Sequence, residues 1–302
     1  MFDDLKVWMN GEIKPMKEAT VPMLSHGFSR GSAMFEVFGI HKGPDGPYAF
    51  RMDTHLDRLY RSAELLCQRL AYTREELIEG VEQAVKANNM EQGIIKMMVY
   101  MGEQALINLV LDVDLDVCIC AVPEDNPPAA IAPEPIDVCI SKWRKLHPET
   151  MPTEAKACSF YLNGMLARKD AMDRGFDLGI LLNLDGTVAE GSIESVFMVK
   201  DGVLKTPPQG KILRSVSRRS ILEACKVCGI EAVETVISPE ELKEADEIFT
   251  AHTGIKVTPA KRIEDRELPS CPGPVTQKIS DMMHKILTLQ DDRFKDWFTK
   301  VG

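Results

Sequence analysis

The stretch PTEAKACSFYLNG, residues 152–164, decides how this chain of 302 residues is interpreted. It places one lysine, Lys156, between the small residues Ala155 and Ala157, and Tyr161 follows. Most lysines are solvated surface groups, so a lysine by itself indicates no chemistry. Small neighbours on both sides predict a tight, partly buried strand, and we expect Lys156 to present a reactive amine from it.

An acidic residue follows in the same half of the chain. The segment LGILLNLDGTVAEGSIESVFMVKDGVLKTPP, residues 178–208, has apolar runs separated by turns at Asp185-Gly186 and Asp201-Gly202. This pattern predicts short strands joined by tight turns. Glu190 lies between the first two strands. A lysine, a tyrosine and an acid therefore follow one another in order.

Composition and charge exclude several classes of partner. The net charge is -10 and the pI is near 5.2, whereas nucleic acids and anionic membranes bind basic patches. The opening MFDDLKVWMN is too polar for a signal peptide, and no apolar run approaches membrane-spanning length. We therefore expect a soluble cytoplasmic protein with no nucleic-acid or membrane partner.

The cysteines are interpreted as buried thiols. Cys225 and Cys228 form a CxxC pair inside ILEACKVCGI, where apolar spacing of three and four predicts a helix. No second pair stands at zinc-finger distance. Cys118 and Cys120 alternate with apolar residues in DVCICAV, which predicts a buried strand. We assign no metal ion and no disulfide.

The first part of the chain predicts an α+β domain. KVWMNGEIKP predicts a hairpin that turns at Asn10-Gly11. DTHLDRLYRSAELLCQRL has apolar residues at helical spacing, with Asp53 or Thr54 as its N-cap. A second amphipathic helix is predicted to begin after Thr73.

Prolines mark the predicted domain boundary. The five prolines of VPEDNPPAAIAPEP, residues 122–135, rule out regular structure and predict an exposed linker. We therefore predict a small N-terminal domain at 1–124, the linker at 125–135 and a large C-terminal domain at 136–302. Helices in the larger domain are predicted from about Ser215 to Cys228, after Ser238, and from near Pro274.

Ten short strings in this chain together resemble one enzyme family. They are WMNGEI, SHGFSRGSAMFE, HLDRLYRSAELL, SKWRK, HPETMPTEAKA, YLNG, DGTVAEGS, DGVLKTPP, ILRSVSRRSI and GPVT. In this order they resemble the class IV, or fold type IV, pyridoxal-phosphate aminotransferases, and within them most of all the branched-chain amino-acid aminotransferases. The resemblance implies an N-terminal α/β sandwich, a barrel-like C-terminal domain carrying pyridoxal 5′-phosphate, and a homodimer.

The resemblance also assigns the residues that hold the cofactor. Lys156 matches the lysine that forms the aldimine and moves the proton. Glu190 matches the acid that keeps the ring nitrogen protonated, which an electron sink requires. Tyr161 matches the tyrosine at the phenolic oxygen. The residues matching the phosphate site are Arg58, Ser215, Val216, Ser217 and Thr253.

The helix predicted from about Ser215 to Cys228 offers a phosphate site at its N-terminus. A helix N-terminus offers free N–H groups and the positive end of the dipole. Ser215 stands where the family usually has glycine, and plain N-capping also favours serine there. Both roles are compatible.

The substrate side departs from the branched-chain pattern. Arg30 replaces a tyrosine, Val37 a glycine, Gly39 an arginine and Lys96 an arginine. Arg30 and Lys96, together or singly, predict a site that prefers anions more than a standard branched-chain site does. Arg30 would bind a second carboxylate, or else pair with Glu36 or Asp57. The remaining substrate residues implied are Phe35, as an apolar wall, and Thr253 with Gly254, as a turn receiving the carboxylate.

The resemblance implies transfer of the amino group of an L-amino acid to 2-oxoglutarate, with branched-chain amino acids as the nearest likeness. D-amino-acid aminotransferase and aminodeoxychorismate lyase remain alternatives. Lys96 resembles the lysine of the lyase, but the longer glycine- and arginine-rich segment of that enzyme is replaced by MGEQALINLVLD. Residues 101–104 offer no arginine like that of the D-specific enzyme. A third alternative is a catalytically silent member that acts as a binding protein.

Overall fold

The computed structural model describes residues 2–125, 133–254 and 256–302. The chain forms two compact units. Unit 1 comprises Met1–Pro127, Ala155–Ser159 and Leu287–Gly302, and unit 2 comprises Pro128–Glu154 and Phe160–Ile286. The domain limits predicted from the sequence stay a prediction, since residues 126–132 of the linker lie outside the described part.

Unit 1 is built on one antiparallel sheet. Its strands are β1 (Lys6–Met9), β2 (Glu12–Pro15), β3 (Met34–Gly43), β4 (Gly46–Phe50), β5 (Gly93–Tyr100), β6 (Asp116–Pro123) and β15 (Phe298–Lys300). Its helices are α1 (His26–Ser29), α2 (Met52–Leu65) and α3 (Arg74–Ala87), with 3-10 turns at Met16–Glu18 and Asp292–Trp297. Among the described residues the strand order is β15-β4-β3-β5-β6-β1-β2.

The sheet of unit 1 has two different faces. Alternate residues of β3, β5 and β6, such as Phe38, Met97 and Ile119, are buried in one core with Leu56 of α2 and Val81 of α3. Because side chains alternate along a strand, the residues between them point to the opposite face. That second face carries Phe35 and Lys96.

Local signals account for the first hairpin and for α3. Asn10 and Gly11 both have positive φ, 52° and 92°, as a tight hairpin turn requires, so the predicted turn is confirmed. Thr73 caps α3 by accepting from the Glu76 N–H, and the Glu76 carboxylate accepts from the Thr73 N–H, which completes a capping box. The predicted start of this helix is confirmed.

The predicted cap of α2 is wrong. The helix begins at Met52, and its N-cap is Arg51 in the left-handed region at φ 55°, not Asp53 or Thr54. The Arg51 guanidinium lies 3.9 Å above the Trp297 ring, and its backbone N–H donates to the Trp297 carbonyl at 2.7 Å. These long-range contacts hold Arg51 in a conformation that costs energy for a residue with a Cβ.

Unit 2 contains a second sheet and four helices among its described residues. The strands are β7 (Ile136–Arg144), β8 (Leu178–Leu182), β9 (Ser195–Lys200), β10 (Val203–Thr206), β11 (Ala232–Glu234), β12 (Glu247–Ala251), β13 (Thr258–Ile263) and β14 (Arg266–Glu267). The helices are α4 (Tyr161–Asp173), α5 (Val216–Val227), α6 (Pro239–Lys243) and α7 (Pro274–Leu287). The strand order is β11-β10-β9-β12-β13-β7-β8, with β14 beside β13.

Turn and cap chemistry again explains the elements of unit 2. Asp201 and Gly202 take positive φ between β9 and β10, as predicted. The Ser238 hydroxyl caps α6 by accepting from the Glu241 N–H, and Pro239 opens the helix. Helices packed with both sheets confirm the predicted α+β class. In the described part of the chain, no helix combines the length and the apolar character needed to span a membrane.

Candidate active site

The main chain of Lys156 is fixed inside unit 1. Its N–H donates to the Ser62 hydroxyl at 3.0 Å, and its carbonyl accepts from the Phe35 N–H at 3.2 Å. Ser62 is buried on α2 and donates in turn to the Arg58 carbonyl. The expected strand at Lys156 is wrong, because only a single bridge between Ala157 and Met34 forms before a 3-10 turn at Cys158–Phe160. Ser62 was not among the residues predicted from the sequence.

Two amines lie over the ring of Phe35. The Lys156 Nζ is 4.5 Å and the Lys96 Nζ is 5.3 Å from the ring centroid. Both distances are within the range of cation–π attraction. The structure therefore brings together three of the predicted residues on the second face of the sheet in unit 1.

Arg30 lies elsewhere on unit 1. Its guanidinium is exposed and donates to the Leu106 carbonyl at 2.9 Å. The alternative that Arg30 pairs with Glu36 or Asp57 is wrong, because those carboxylates bind other arginines. A role of Arg30 toward substrate stays a prediction.

Arg58 is held by a buried carboxylate. Its Nε and Nη2 donate to the two oxygens of Glu36 at 2.7 and 2.6 Å, and the His55 ring contacts the same carboxylate at 2.7 Å. Burial alone would raise the pKa of Glu36, but Arg58 and then His55 lower it to about 2. Glu36 accepts from two of the five guanidinium N–H donors, and a further role of Arg58 toward phosphate stays a prediction.

In unit 2, Glu190 forms a nearly buried ion pair with Lys145. The two side chains are 13% and 9% exposed. The Glu190 carboxylate also accepts from the Leu213 N–H at 3.3 Å, while the Glu190 backbone carbonyl accepts from the N–H of Leu181 in β8. A glutamate in a solvated turn would have neither the Lys145 ammonium nor the Leu213 N–H as a partner of its carboxylate. Lys145 was not predicted as a site residue, although it belongs to the SKWRK string that carried the resemblance.

The YLNG string opens α4 in unit 2. Tyr161 is its first residue and is partly buried. Asn163 accepts from the Leu146 N–H at 3.3 Å and donates to the Arg144 carbonyl at 3.0 Å. The asparagine of this string therefore holds the backbone on both sides of Lys145.

The start of α5 has the features of an anion site. Ser215 caps the helix, and its hydroxyl accepts from the Arg218 N–H at 3.2 Å, so the N-capping role is confirmed. Val216 and Ser217 follow as the first two helical residues and are both buried. A buried hydroxyl at a helix N-terminus, with its dipole, fits a phosphate group.

The remaining predicted turn, at Thr253 and Gly254, follows β12. The Gly254 N–H donates to the Nδ1 atom of His252 at 3.1 Å. Thr253 and Gly254 are both partly buried. Their predicted contacts with phosphate and with the substrate carboxylate stay predictions.

Comparison with known proteins identifies the class. Residues 33–263 match the family model described as amino-transferase class IV. The chain therefore belongs to the class IV aminotransferases, as the resemblance implied.

Named relatives agree along nearly the whole chain. The chain is 32% identical over 301 residues to a branched-chain-amino-acid aminotransferase of Escherichia coli (strain K12), covering 98% of this chain and 97% of that protein. It superimposes with a TM-score of 0.93 on the branched-chain aminotransferase of Thermoproteus uzoniensis with norvaline, at 34% identity and 99% coverage of both chains. The Escherichia coli branched-chain amino acid aminotransferase structure also gives 0.93, at 32% identity, covering 99% of this chain and all of that one. The predicted fold type IV architecture is confirmed.

A further solved structure of the same class includes a derivative of the cofactor. It is a branched-chain amino acid aminotransferase complexed with N-(5′-phosphopyridoxyl)-L-glutamate, from a source abbreviated T.th., and it superimposes with a TM-score of 0.94 at 29% identity. The match covers both chains completely. Pyridoxal 5′-phosphate is therefore the cofactor of this class of enzyme, as the resemblance implied.

Proposed function

We propose that this protein is a pyridoxal-phosphate-dependent aminotransferase that moves the amino group of a branched-chain L-amino acid to 2-oxoglutarate. Its cofactor is pyridoxal 5′-phosphate, and its substrates are an amino acid and a 2-oxo acid. The observation that carries the proposal is Lys156, whose main chain is fixed while its amine lies over an apolar ring. Family membership and the named relatives support it.

Lys156 is the catalytic residue. When bound, the cofactor stabilises the negative charge that develops at the substrate α-carbon. The Lys156 amine would hold the cofactor covalently, and once the substrate amine had displaced it, the free Lys156 amine would carry the proton at that carbon. Hydrogen bonds to Ser62 and Phe35 keep its backbone still, which favours repeated transfer along one path.

Glu190 acts at the ring nitrogen of the cofactor. Electron withdrawal requires that this nitrogen stay protonated, and an anion beside it favours the proton. Lys145 is a positioning residue, because its ammonium forms an ion pair with the Glu190 carboxylate and holds it in place. Tyr161 donates its hydroxyl to the phenolic oxygen of the ring.

Phosphate is bound at the start of α5. Backbone N–H and hydroxyl donors there come from Ser215, Val216 and Ser217. Thr253 adds a further hydroxyl and backbone N–H. The resemblance assigns Arg58 to the phosphate as well.

Phe35, Lys96 and Gly254 act on the substrate. The Phe35 ring gives an apolar wall for a branched side chain, which is supported by its contact with the amine of Lys156. Lys96 places a second positive charge at this ring, and so favours a carboxylate such as the distal one of glutamate. Its position supports Lys96 rather than Arg30 as the cation nearest the reaction.

The protein works as a homodimer in the cytoplasm. Unit 1 exposes a run of large apolar side chains, Leu106, Ile107, Leu109 and Val110, each at least 73% accessible. Exposed apolar clusters of this kind favour association. The eight cysteines are all free thiols, which supports a reducing compartment.

The test is a half-reaction with single amino acids. We expect the purified protein to be yellow, and L-leucine, L-isoleucine, L-valine or L-glutamate to convert the lysine-bound absorbance to that of the aminated cofactor. Lys156→Ala serves as the control and should lose this conversion while still binding the cofactor noncovalently. Conversion by D-amino acids alone, or none with any of these donors, would contradict the proposal.

A further inference from the structure

Lys256 is a buried lysine beside the start of α5. Only 8% of its surface is exposed. Its ammonium donates to the Thr253 carbonyl at 2.7 Å and lies 3.4 Å from the Ser217 hydroxyl. Ser217 is the second residue of α5 and is 3% exposed. A positive charge therefore contacts the end of the helix where the first N–H groups lack acceptors within the helix.

The position of this ammonium favours an anion beside Ser217 and Thr253. The helix dipole repels cations at the N-terminus and favours them at the C-terminus, where the exposed Lys226 of the same helix lies. Burial adds the cost of removing water from the ammonium of Lys256. A phosphate bound there is attracted by the ammonium and by the helix dipole together.

We propose that Lys256 is a phosphate-binding residue and supplies the positive charge for the cofactor's 5′-phosphate in unit 2. The inference rests on the proposed function, because that function names the phosphate. The family resemblance assigns this charge to Arg58, but two of the Arg58 nitrogens donate to Glu36. Lys256 gives unit 2 a cation of its own beside Ser217 and Thr253.

The experiment compares two ligands that differ only in the phosphate. Apoprotein is titrated with pyridoxal 5′-phosphate and with pyridoxal, and absorbance gives the two dissociation constants. Loss of one charge-assisted hydrogen bond predicts that Lys256→Met weakens pyridoxal 5′-phosphate binding by about 10- to 100-fold. Pyridoxal binding should stay within about twofold of wild type, because pyridoxal has no group for Lys256 to bind.

Matched variants separate charge from folding. Lys226→Met removes a lysine from the other end of α5 and should change neither constant. Lys256→Arg keeps the charge and should preserve the preference for the phosphorylated ligand. Lys256→Gln keeps a donor for the Thr253 carbonyl without the charge, and gives the same comparison where Lys256→Met fails to fold.

The outcomes distinguish this inference from the proposed function. A selective loss for pyridoxal 5′-phosphate in the neutral variants supports it. Equal losses for both ligands, or no loss for either, overturn it while wild-type half-reaction activity leaves the proposed function standing. A wild-type protein that binds neither ligand would instead overturn the proposed function, and the inference with it.

Discussion

Glu36 is the residue on which the buried polar cluster of unit 1 depends. It is fully buried, and both of its oxygens are bound by Arg58. A buried charge is tolerated when it is paired and hydrogen-bonded, and removing one partner leaves the other uncompensated. The same pairing that lowers the pKa of Glu36 to about 2 also makes folding sensitive to acid.

Glu36→Gln should lower stability most at neutral pH. The variant leaves Arg58 buried without its carboxylate, which predicts a loss of about 3–5 kcal/mol at pH 7. The pKa of Glu36 falls from 4.5 to about 2 on folding, so its stabilisation is complete above pH 4.5 and is lost as pH falls toward 2. Urea unfolding of wild type and variant should therefore give a smaller difference at pH 3 than at pH 7.

Asp57→Asn is the matched control, on the helix α2 that also carries Arg58. Asp57 pairs with Arg74 at the surface, where an ion pair contributes at most about 1 kcal/mol. We expect a small change that depends on salt. A Glu36→Gln difference of equal size at both pH values would contradict the role given to the Glu36 carboxylate.

The sequence identified single residues where a motif names them, but not their partners. Lys156 and Glu190 could be selected because they stand in recognisable strings. Lys145 also stands in such a string, SKWRK, but its pairing with Glu190 could not be predicted, because it depends on β8, whose Leu182 carbonyl accepts from the Lys145 N–H. Such a pair depends on strand order, which local sequence does not contain.

Helix α4 shows why the YLNG string ends in glycine. A Cβ at Gly164 would lie 2.1 Å from the Ser192 carbonyl oxygen, and one at Gly179 of β8 would lie 2.5 Å from the Ala167 carbonyl oxygen. Two missing side chains therefore let α4 approach its neighbours in unit 2. Ser192 lies two residues after Glu190. The close packing of α4 against Ser192 therefore also fixes the loop that carries Glu190.

Gly164→Ala should destabilise unit 2 although alanine favours helices. Propensity alone predicts a gain of about 1 kcal/mol. The clash involves a backbone oxygen, which has no rotamer to change, so we expect a net loss of at least about 2 kcal/mol and weaker cofactor binding. Thermal unfolding of the apoprotein and titration with pyridoxal 5′-phosphate measure the two effects.

Met165→Ala tests the next position of the same helix. Met165 is 58% exposed, and its truncation should change stability by less than about 0.5 kcal/mol. A Gly164→Ala protein more stable than wild type would show that α4 moves freely.

The two long helices of unit 1 show which boundaries local sequence predicts. The start of α3 was predicted because the Thr73 and Glu76 side chains and the backbone they bind lie within one turn. The start of α2 was not, because Arg51 is held by Trp297, which is almost at the other end of the chain. Local rules fail where a distant contact stabilises an unfavourable backbone.

At the scale of the whole molecule, we expect a dimer. Sedimentation at micromolar concentration should give roughly twice the chain mass of 33.7 kDa. A variant with Leu106, Ile107 and Leu109 changed to serine should dissociate, because it removes exposed apolar area available for burial. Leu184→Ser, at a 62% exposed leucine of unit 2, should leave the mass unchanged. A wild-type monomer at every concentration would contradict this expectation.

The order of the motifs identified the family and fold, because the strings come from both sheets and from the helix starts that a single architecture combines. The substrate is less determined by sequence. Arg30 and Lys96 look equivalent as departures in the chain, yet Lys96 lies at the Phe35 ring while Arg30 binds a loop carbonyl. Lys96 reaches the ring because its side chain points to the second face of the sheet, and the sequence alone does not show this.

Lys156 combines a main chain held by hydrogen bonds with a long, flexible side chain. Its N–H and carbonyl are both tied down, so the amine moves only by rotation about the four carbon–carbon bonds of the side chain. The nitrogen therefore sweeps a shell of limited radius around one stationary Cα atom. Under the proposed function, an amino acid reacts only if its α-carbon can be brought within that radius, and tight binding alone is not enough.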